Sequence, residues 1–257
     1  MSFRPCAVIP VYNHHACLAR VVTALRGHGL SVILVDDGSD ATTCAVLDEQ
    51  AALAEVACLH LPSNQGKGAA VLAGIALAAT RDFTHALQVD ADGQHDLDDV
   101  PVLLARAAAH PDCLISGCPR YDEDVPAVRF YGRYLTHALI WLDTLSLTLR
   151  DSMCGFRVYP VAPSLALARR VTIGARMDFD TDIMTRLYWA GTESLFVETC
   201  VRYPADGISH FRMVADNARM TWLHLRLFAG MLPRAPGLLR RTLARRRVSA
   251  SNAEAES

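Results

Sequence analysis

Asp90-Ala-Asp92-Gly-Gln94 is the stretch of this chain best equipped for metal chemistry. If the backbone there is extended, positions i, i+2 and i+4 face one way, so both carboxylates and the Gln94 amide oxygen converge. Two anionic oxygens and a neutral one suit Mg2+ or Mn2+, with coordination positions left over for phosphate oxygens. The plainer alternative is a solvated acidic turn, the role expected of Asp96, Asp98 and Asp99 as caps of the next helix. A second acidic pair, Asp36-Asp37-Gly-Ser39, follows Ser31-Val-Ile-Leu-Val35. Its carboxylates can accept hydrogen bonds from a base or ribose, or cap a strand-to-helix turn through Asp36 or Ser39. Ser63-Asn-Gln-Gly66-Lys67-Gly68 looks at first like a phosphate loop. Leu61 stands where the first glycine is needed, and Gly68 stands where Ser or Thr should follow the lysine, which rejects a Walker site. What stays is a glycine turn opening a helix, with Lys67 near a phosphate or base.

The elements around these residues alternate. Cys6–Val11, Val32–Val35, Val56–Leu61, His85–Asp90 and Leu114–Gly117 read as strands. Ala16–Arg26, Ala41–Leu53, Lys67–Ala79 and Leu97–Ala109 carry helical periodicity between them. Such alternation predicts an α/β fold with an open, mostly parallel sheet covered on both faces. Ligands of such sheets bind beyond the carboxyl ends of the strands. That is where Tyr12-Asn13, Asp36-Asp37 and Asp90-Ala-Asp92 fall. Further on, Ala127–Leu149 reads as one long helix, Asp151–Arg157 as a polar loop, Asp178–Ala190 as a helix and Ser194–Val201 as a strand.

Composition narrows the class. The 257 residues are 51% apolar and 20% charged, enough for a sizeable core and against disorder. Mean hydropathy is +0.18. No stretch offers the roughly 20 uninterrupted apolar residues of a membrane span. Tyr134–Leu149 is broken by Asp143, and Trp222–Leu232 by His224 and Arg226. The first residues lack the apolar run of an export signal, so the eight cysteines, none in a CxxC pair, read as small buried hydrophobes in a reducing compartment. Zinc is not expected from that spacing.

The motifs in order form a recognisable set: Val8-Ile-Pro10-Val-Tyr12-Asn13, Val35-Asp-Asp37-Gly-Ser39, Asn64-Gln-Gly-Lys-Gly68 and Gln88-Val-Asp90-Ala-Asp92-Gly-Gln94-His95. Ser116-Gly-Cys-Pro-Arg120, Asp151-Ser-Met-Cys-Gly155-Phe-Arg157 and Phe179-Asp180-Thr-Asp182 continue it. Over residues 6–210 the chain resembles family-2 glycosyltransferases of the GT-A fold, most of all those that move sugars to dolichyl or polyprenyl phosphate. The resemblance implies that Pro10, Tyr12 and Asp37 line the base pocket, and that Lys67 and Asp151 belong to the nucleotide-sugar site. It also implies that Asp90 contacts ribose or metal, and that Asp92 with Gln94 holds the metal bridging the donor diphosphate. Arg120, Arg133 and Arg157 would receive an acceptor phosphate, a use suited to the guanidinium fork. Asp180 or Asp182 would stand near the acceptor as a catalytic carboxylate, while Arg202, His210 and Arg212 would close over the diphosphate. His14, Cys154 and Asp182 depart from the family pattern at their positions.

The remaining signal is charge. Residues 212–247 hold nine arginines and one acid, Asp216, a net +8 in a chain of net −2. Asn217–Leu232 and Gly237–Arg247 read as two basic amphipathic helices with Pro233 and Pro236 between them, and 248–257 as disordered. The expected organisation is a GT-A domain over 1–211 and a helical tail over 212–247 that docks on an anionic membrane surface, on the cytoplasmic face. The competing reading of the tail is a solvated helix face that completes the domain. Nucleic acid is not an expected partner, because the body is acidic. The expected activity is metal-dependent, inverting transfer from a nucleotide sugar to a lipid-linked acceptor. The rivals are a hydroxyl acceptor, a sugar-1-phosphate nucleotidyltransferase, and a non-catalytic sugar-nucleotide binder.

Overall fold

The computed structural model describes residues 2–120, 127–200 and 213–255; side chains are described outside 120, 127–135, 213–215 and 246–255. The first half runs β1 (Pro5–Val11), α1 (Leu18–Gly27), β2 (Ser31–Asp36), α2 (Ala41–Ala51), β3 (Val56–His60), α3 (Lys67–Thr80), β4 (His85–Gln88), α4 (Val100–Ala109) and β5 (Leu114–Arg120). The second half adds α5 (Ala127–Thr144), β6 (Arg157–Pro160), α6 (Val161–Ala168), α7 (Phe179–Ala190), β7 (Ser194–Cys200), α8 (Met213–Met231) and α9 (Ala235–Ala255).

The seven strands make one sheet in the order β3-β2-β1-β4-β6-β5-β7. Every strand is parallel to its neighbours except β6, which runs antiparallel to β4 and β5. The chain first moves outward from β1 to β3, then crosses back to place β4 on the other side of β1. That reversal opens a crevice at the carboxyl ends of β1 and β4, the place where open α/β sheets hold ligands.

Strand alternation sorts the core. Val8, Ile33 and Val35 face α3, α6 and α7 through Val71, Ile75, Phe179 and Ile183. Ile9, Val11 and Leu34 face the other way, onto Leu18, Val22, Leu25 and Leu103. Phe179 seats α7 against α3, and a Cβ added at Gly68 would stand 2.5 Å from its ring.

Several boundaries differ from the sequence reading. The long helix ends at Thr144, because Leu145 takes a left-handed φ of 51°. The loop expected over Asp151–Arg157 gives way at Arg157 to β6 and α6, which the sequence reading lacked. Four buried residues bounded by arginine and proline carry too short a pattern to read. Asp40, rather than Asp36 or Ser39, caps α2, accepting from the Thr43 N–H at 2.8 Å. The cysteines are all free; they were expected to be buried, but only Cys6 and Cys154 are.

The C-terminal helices also differ. α9 continues to Ala255, where disorder was expected after Arg247. Leu223, Leu227, Met231 and Leu238 are buried, and Met231 and Leu238 join the core cluster of α3 and α7. His224 Nδ1 lies 2.9 Å from Asp143 Oδ2, joining α8 to α5, and Thr242 Oγ1 donates to the Leu145 carbonyl. These helices share the core of the domain instead of standing apart from it. A second apolar row remains outside: Trp222, Leu225, Phe228, Leu232, Leu239 and Leu243 are all exposed. Among the described residues, no helix is long and apolar enough to cross a membrane.

Leu227→Ala is therefore expected to cost about 2–5 kcal/mol in urea unfolding, as at other buried leucines. Leu225→Ala, at 58% exposure on the same helix, should stay within about 0.5 kcal/mol. Equal small losses at both positions would contradict the packing of α8.

Candidate active site

The crevice between β1 and β4 is built around one ammonium group. Lys67 opens α3, and its Nζ lies 2.8 Å from Asp90 Oδ1, 2.9 Å from Asp90 Oδ2 and 3.5 Å from Asp180 Oδ2. Gly66 delivers the chain into that helix at φ 104°, and a side chain there would run into the Ala175 carbonyl. Burial works against the charge of Lys67, but Asp180 and then Asp90 outweigh it and hold the ammonium well above its ordinary value. Burial likewise opposes ionisation of Asp90. Lys67 and His95 overcome that and hold its carboxyl well below the usual range. His95 Nε2 is 3.6 Å from Asp90 Oδ2, and its ring stacks on Phe156 at 4.9 Å between centroids.

A buried polar chain backs this cluster. Gln88 Nε2 donates to Asp180 Oδ1 at 3.5 Å, and the Tyr159 hydroxyl donates to Gln88 Oε1 at 3.1 Å. Arg157 donates to the carbonyls of Asp180 and Ser152 at 2.6 and 2.7 Å, pinning α7 to the loop before β6. Gly155 leaves the space that Lys67 needs: an added Cβ would lie 2.6 Å from Nζ and 2.8 Å from Gln88 Nε2.

Across the crevice, Asp37 is buried and accepts from the Gln65 and Gly66 N–H groups at 2.7 and 2.8 Å. It thereby closes the loop that carries Lys67. The Asn13 N–H donates to Ser39 Oγ, and the Asp40 N–H donates to Asn13 Oδ1, joining the ends of β1 and β2. Tyr12 is exposed at that rim.

The model of the glycosyl transferase family 2 matches residues 6–173. The chain belongs to this family. Among similar glycosyltransferases, the polyprenol monophosphomannose synthase of Mycolicibacterium smegmatis is 35% identical over 118 residues, 44% of each chain. The dolichyl-phosphate beta-glucosyltransferase of Drosophila melanogaster is 28% identical over 201 residues, 69% of this chain and 60% of that one. The undecaprenyl-phosphate mannosyltransferase of Micrococcus luteus is 30% identical over 61% of this chain and 66% of its own. The match thus spans about half to two thirds of those relatives. Among solved structures, glucosyl-3-phosphoglycerate synthase of Mycobacterium tuberculosis with UDP superposes with a TM-score of 0.62 at 15% identity, covering 89% of this chain and 80% of that one. Mannosyl-3-phosphoglycerate synthase of Rubrobacter xylanophilus gives 0.63 at 15%, covering 91% and 75%. These likenesses establish the GT-A fold.

The glycosyltransferase places the expected site residues unevenly. Asp90, Lys67 and Asp180 come together, while Asp182 does not join them. It is fully buried, accepting from Gly174 N–H and from Arg186 and Arg226. Two residues on a helix are about 200° apart in direction, so Asp180 and Asp182 serve opposite faces of α7. Asp182 is a bracket for α8. Arg157 is likewise corrected as a phosphate ligand, being wholly buried with its Nη groups committed to carbonyls. Asp151 is buried and accepts from the N–H groups of Met153 and Cys154, shaping the loop that holds Gly155.

The strand alternation expected over Asp90–Gln94 is not what relates those residues. β4 ends at Gln88 and the chain turns at Ala91–Asp92, with Gly93 at φ 69°. Asp92 Oδ1 accepts from the Gln94 backbone N–H at 3.0 Å. Arg202, His210 and Arg212 lie outside the described residues, as do the side chains of Arg120, at the end of β5, and Arg133, in α5. Gln88, His95 and Tyr159 were missed. Gln88 precedes Asp90 by two positions, which was the available signal; Tyr159 had none, because β6 was unread.

Removing the ammonium should expose the charge balance. Lys67→Met is expected to cost about 3 kcal/mol at pH 7, the low end for unpairing a buried charge, because Lys67 and Asp90 side chains are 28% and 26% exposed. Asp90 is depressed in the folded protein, so its contribution is full above the unfolded carboxyl value and is lost as pH falls toward the folded one. The wild-type advantage in urea unfolding should therefore hold at neutral pH and shrink as pH falls below about 4. A gap that is constant with pH would contradict the ion pairing.

Proposed function

We propose that this glycosyltransferase moves a sugar from a nucleotide-sugar donor to a polyprenyl-phosphate-like lipid, with inversion and with Mg2+ or Mn2+. The observation that carries the reading is the Asp90–Lys67–Asp180 cluster at the β1/β4 crevice, in a chain whose relatives include sugar transferases named for polyprenol, dolichyl and undecaprenyl phosphates. The donor set fits the cation: Asp90 and Asp92 offer hard carboxylate oxygens, and the similar mycobacterial synthase was solved with Mn2+ and UDP. Asp92 and Asp90 would hold the ion, with Gln94 as the neutral third donor. When bound, it neutralises charge on the departing diphosphate, the main electrostatic task of sugar transfer.

The residues of the chain supply the rest. Lys67 keeps Asp90 ionised and adds positive charge to the donor side. Asp37 and the ordered loop behind it, with Pro10 and Tyr12, present the rim to the base. Asp180 is held by Gln88 and Lys67 at the far side of the cluster, where the acceptor approaches. A phosphate acceptor is already anionic and needs no base, so Asp180 then orients it; Arg120 and Arg133 are proposed to hold its oxygens. A hydroxyl acceptor would instead need Asp180 as general base.

The outer row of Trp222, Leu225, Phe228, Leu232, Leu239 and Leu243, among the arginines of α8 and α9, supports docking on an anionic membrane surface at the cytoplasmic face.

Transfer of labelled sugar to polyprenyl monophosphate tests the activity. Label should pass to the lipid phase with Mn2+ or Mg2+, stop with EDTA, and fall at least about 100-fold in Asp92→Ala, the scale of losing one electrostatic stabiliser of the transition state. Transfer undiminished by EDTA, or transfer to polyprenol in preference to its phosphate, would contradict the proposal. For the membrane, the triple change Trp222→Ser, Leu225→Ser and Phe228→Ser should abolish co-sedimentation with anionic vesicles while leaving the melting temperature within a few degrees. Unchanged sedimentation would refute the surface.

A further inference from the structure

Away from the donor crevice, the carboxyl ends of β2 and β3 and the first turns of α2 bring two side chains with metal-binding chemistry against one carboxylate. Asp36 Oδ2 lies 2.9 Å from His60 Nδ1 and 3.4 Å from Cys44 Sγ. The three donor atoms all fall within 4.8 Å of one another. On the opposite edge of the imidazole, Nε2 lies 3.2 Å from Asp48 Oδ1 and 3.4 Å from Cys58 Sγ. Asp36 is buried, Cys44 half-buried and His60 exposed, so the group opens to solvent on one side. Among the described residues, no lysine or arginine forms an ion pair with Asp36 or Asp48.

We propose that Asp36, Cys44 and His60 form a binding site for Zn2+, separate from the divalent site at Asp90 and Asp92. A tetrahedral zinc with bonds of about 2.0 Å to oxygen and nitrogen and about 2.3 Å to sulfur sets its donors about 3.3–3.5 Å apart. Two of the observed separations, 2.9 and 3.4 Å, are near those values and the third is within 4.8 Å, so rotation of the Cys44 and His60 side chains brings the three donors onto one ion. A thiolate with an imidazole selects zinc over Mg2+ and Mn2+, which prefer oxygen throughout. Asp48 supplies the outer partner that such histidines usually have, a carboxylate on the other ring nitrogen that fixes the tautomer. The proton balance is simple. Zinc replaces the Cys44 thiol proton and the Nδ1 proton that His60 donates to Asp36, both of which go to solvent, and the neutral imidazole keeps its proton on Nε2, donated to Asp48. Two anionic ligands then neutralise the ion, and a fourth position remains for water.

The site is also placed to matter. Asp36 Oδ1 accepts the Ser39 N–H at 2.8 Å, and Asp37 next in the chain closes the Lys67 loop. Zinc at Asp36 would therefore tie β2, α2 and β3 together directly behind the donor-side loop.

Cobalt titration of the metal-free, reduced full-length protein tests this. One Co2+ per chain should bind with the near-ultraviolet thiolate-to-cobalt absorption and the visible bands of tetrahedral coordination, and Zn2+ should displace it. Cys44→Ser and His60→Gln should each remove the thiolate absorption, with circular dichroism unchanged; Cys58→Ser and Asp92→Ala should keep it. Asp48→Asn should weaken binding about 10- to 100-fold, the usual effect of losing an outer partner. Absence of thiolate absorption in the wild type, or its survival in Cys44→Ser, would overturn the site. If Cys44→Ser does not fold, the exposed His60→Gln decides: cobalt binding at wild-type affinity there would overturn the proposal.

Discussion

A single ammonium between two carboxylates organises the catalytic half of this protein. Lys67 meets Asp90, just past β4, and Asp180, on α7, so one cation joins the end of a central strand to the start of a helix more than a hundred residues on. Removed from water, two carboxylates this close would repel and one would take up a proton. With Lys67 beside it, Asp90 is held well below the usual carboxylate range and keeps its charge. The position of that nitrogen is controlled by backbone: Gly66 turns the loop, Asp37 clamps it, and Gly155 leaves room at the tip.

The surrounding packing repeats this logic at longer range. Arg157 enters a central strand with no exposure and holds the Asp180 carbonyl, while Gln88 and Tyr159 complete the chain behind the carboxylate. On the reverse face of α7, Asp182 takes two arginines, one from α8. The same helix therefore presents Asp180 to the crevice and anchors the C-terminal helices through Asp182. The acidic body and basic C-terminal segment meet in these contacts, so part of the positive charge is used internally. The outward row from Trp222 to Leu243 takes no part in these contacts and stays exposed.

Much of this was legible in the sequence. Strand–helix alternation was enough to give the parallel sheet, because β1, β2 and β4 are strongly apolar runs followed by polar turns. The family motifs pointed to Asp90, Lys67 and Asp180 individually. Their meeting was not legible, since the partners are 23 and 113 residues from Lys67 and only the crossover to β4 and the seating of Phe179 bring them together. Asp180 and Asp182 were inseparable because a helical period does not say which face meets the crevice. Arg157 looked like a phosphate ligand because β6 is four residues long and its central place in the sheet has no local signature. The extended geometry assumed for Asp90–Gln94 failed at Gly93, whose left-handed φ turns the chain. Two apolar rows on α8 were merged into one, as a sequence shows that a helix has apolar positions but not how many surfaces they serve.

The central claim is that Asp90, kept ionised by Lys67, and Asp92 would hold a divalent cation against the diphosphate of a nucleotide sugar. Crystals of the full-length protein grown with a nucleoside diphosphate and Mn2+, measured for manganese anomalous scattering, examine it most directly. The expected result is a manganese peak bonded to Asp92 and to the diphosphate oxygens, with Lys67 still bridging Asp90 and Asp180. A nucleotide bound in the crevice with no manganese at Asp92, or manganese bound only at a distant position, would contradict it.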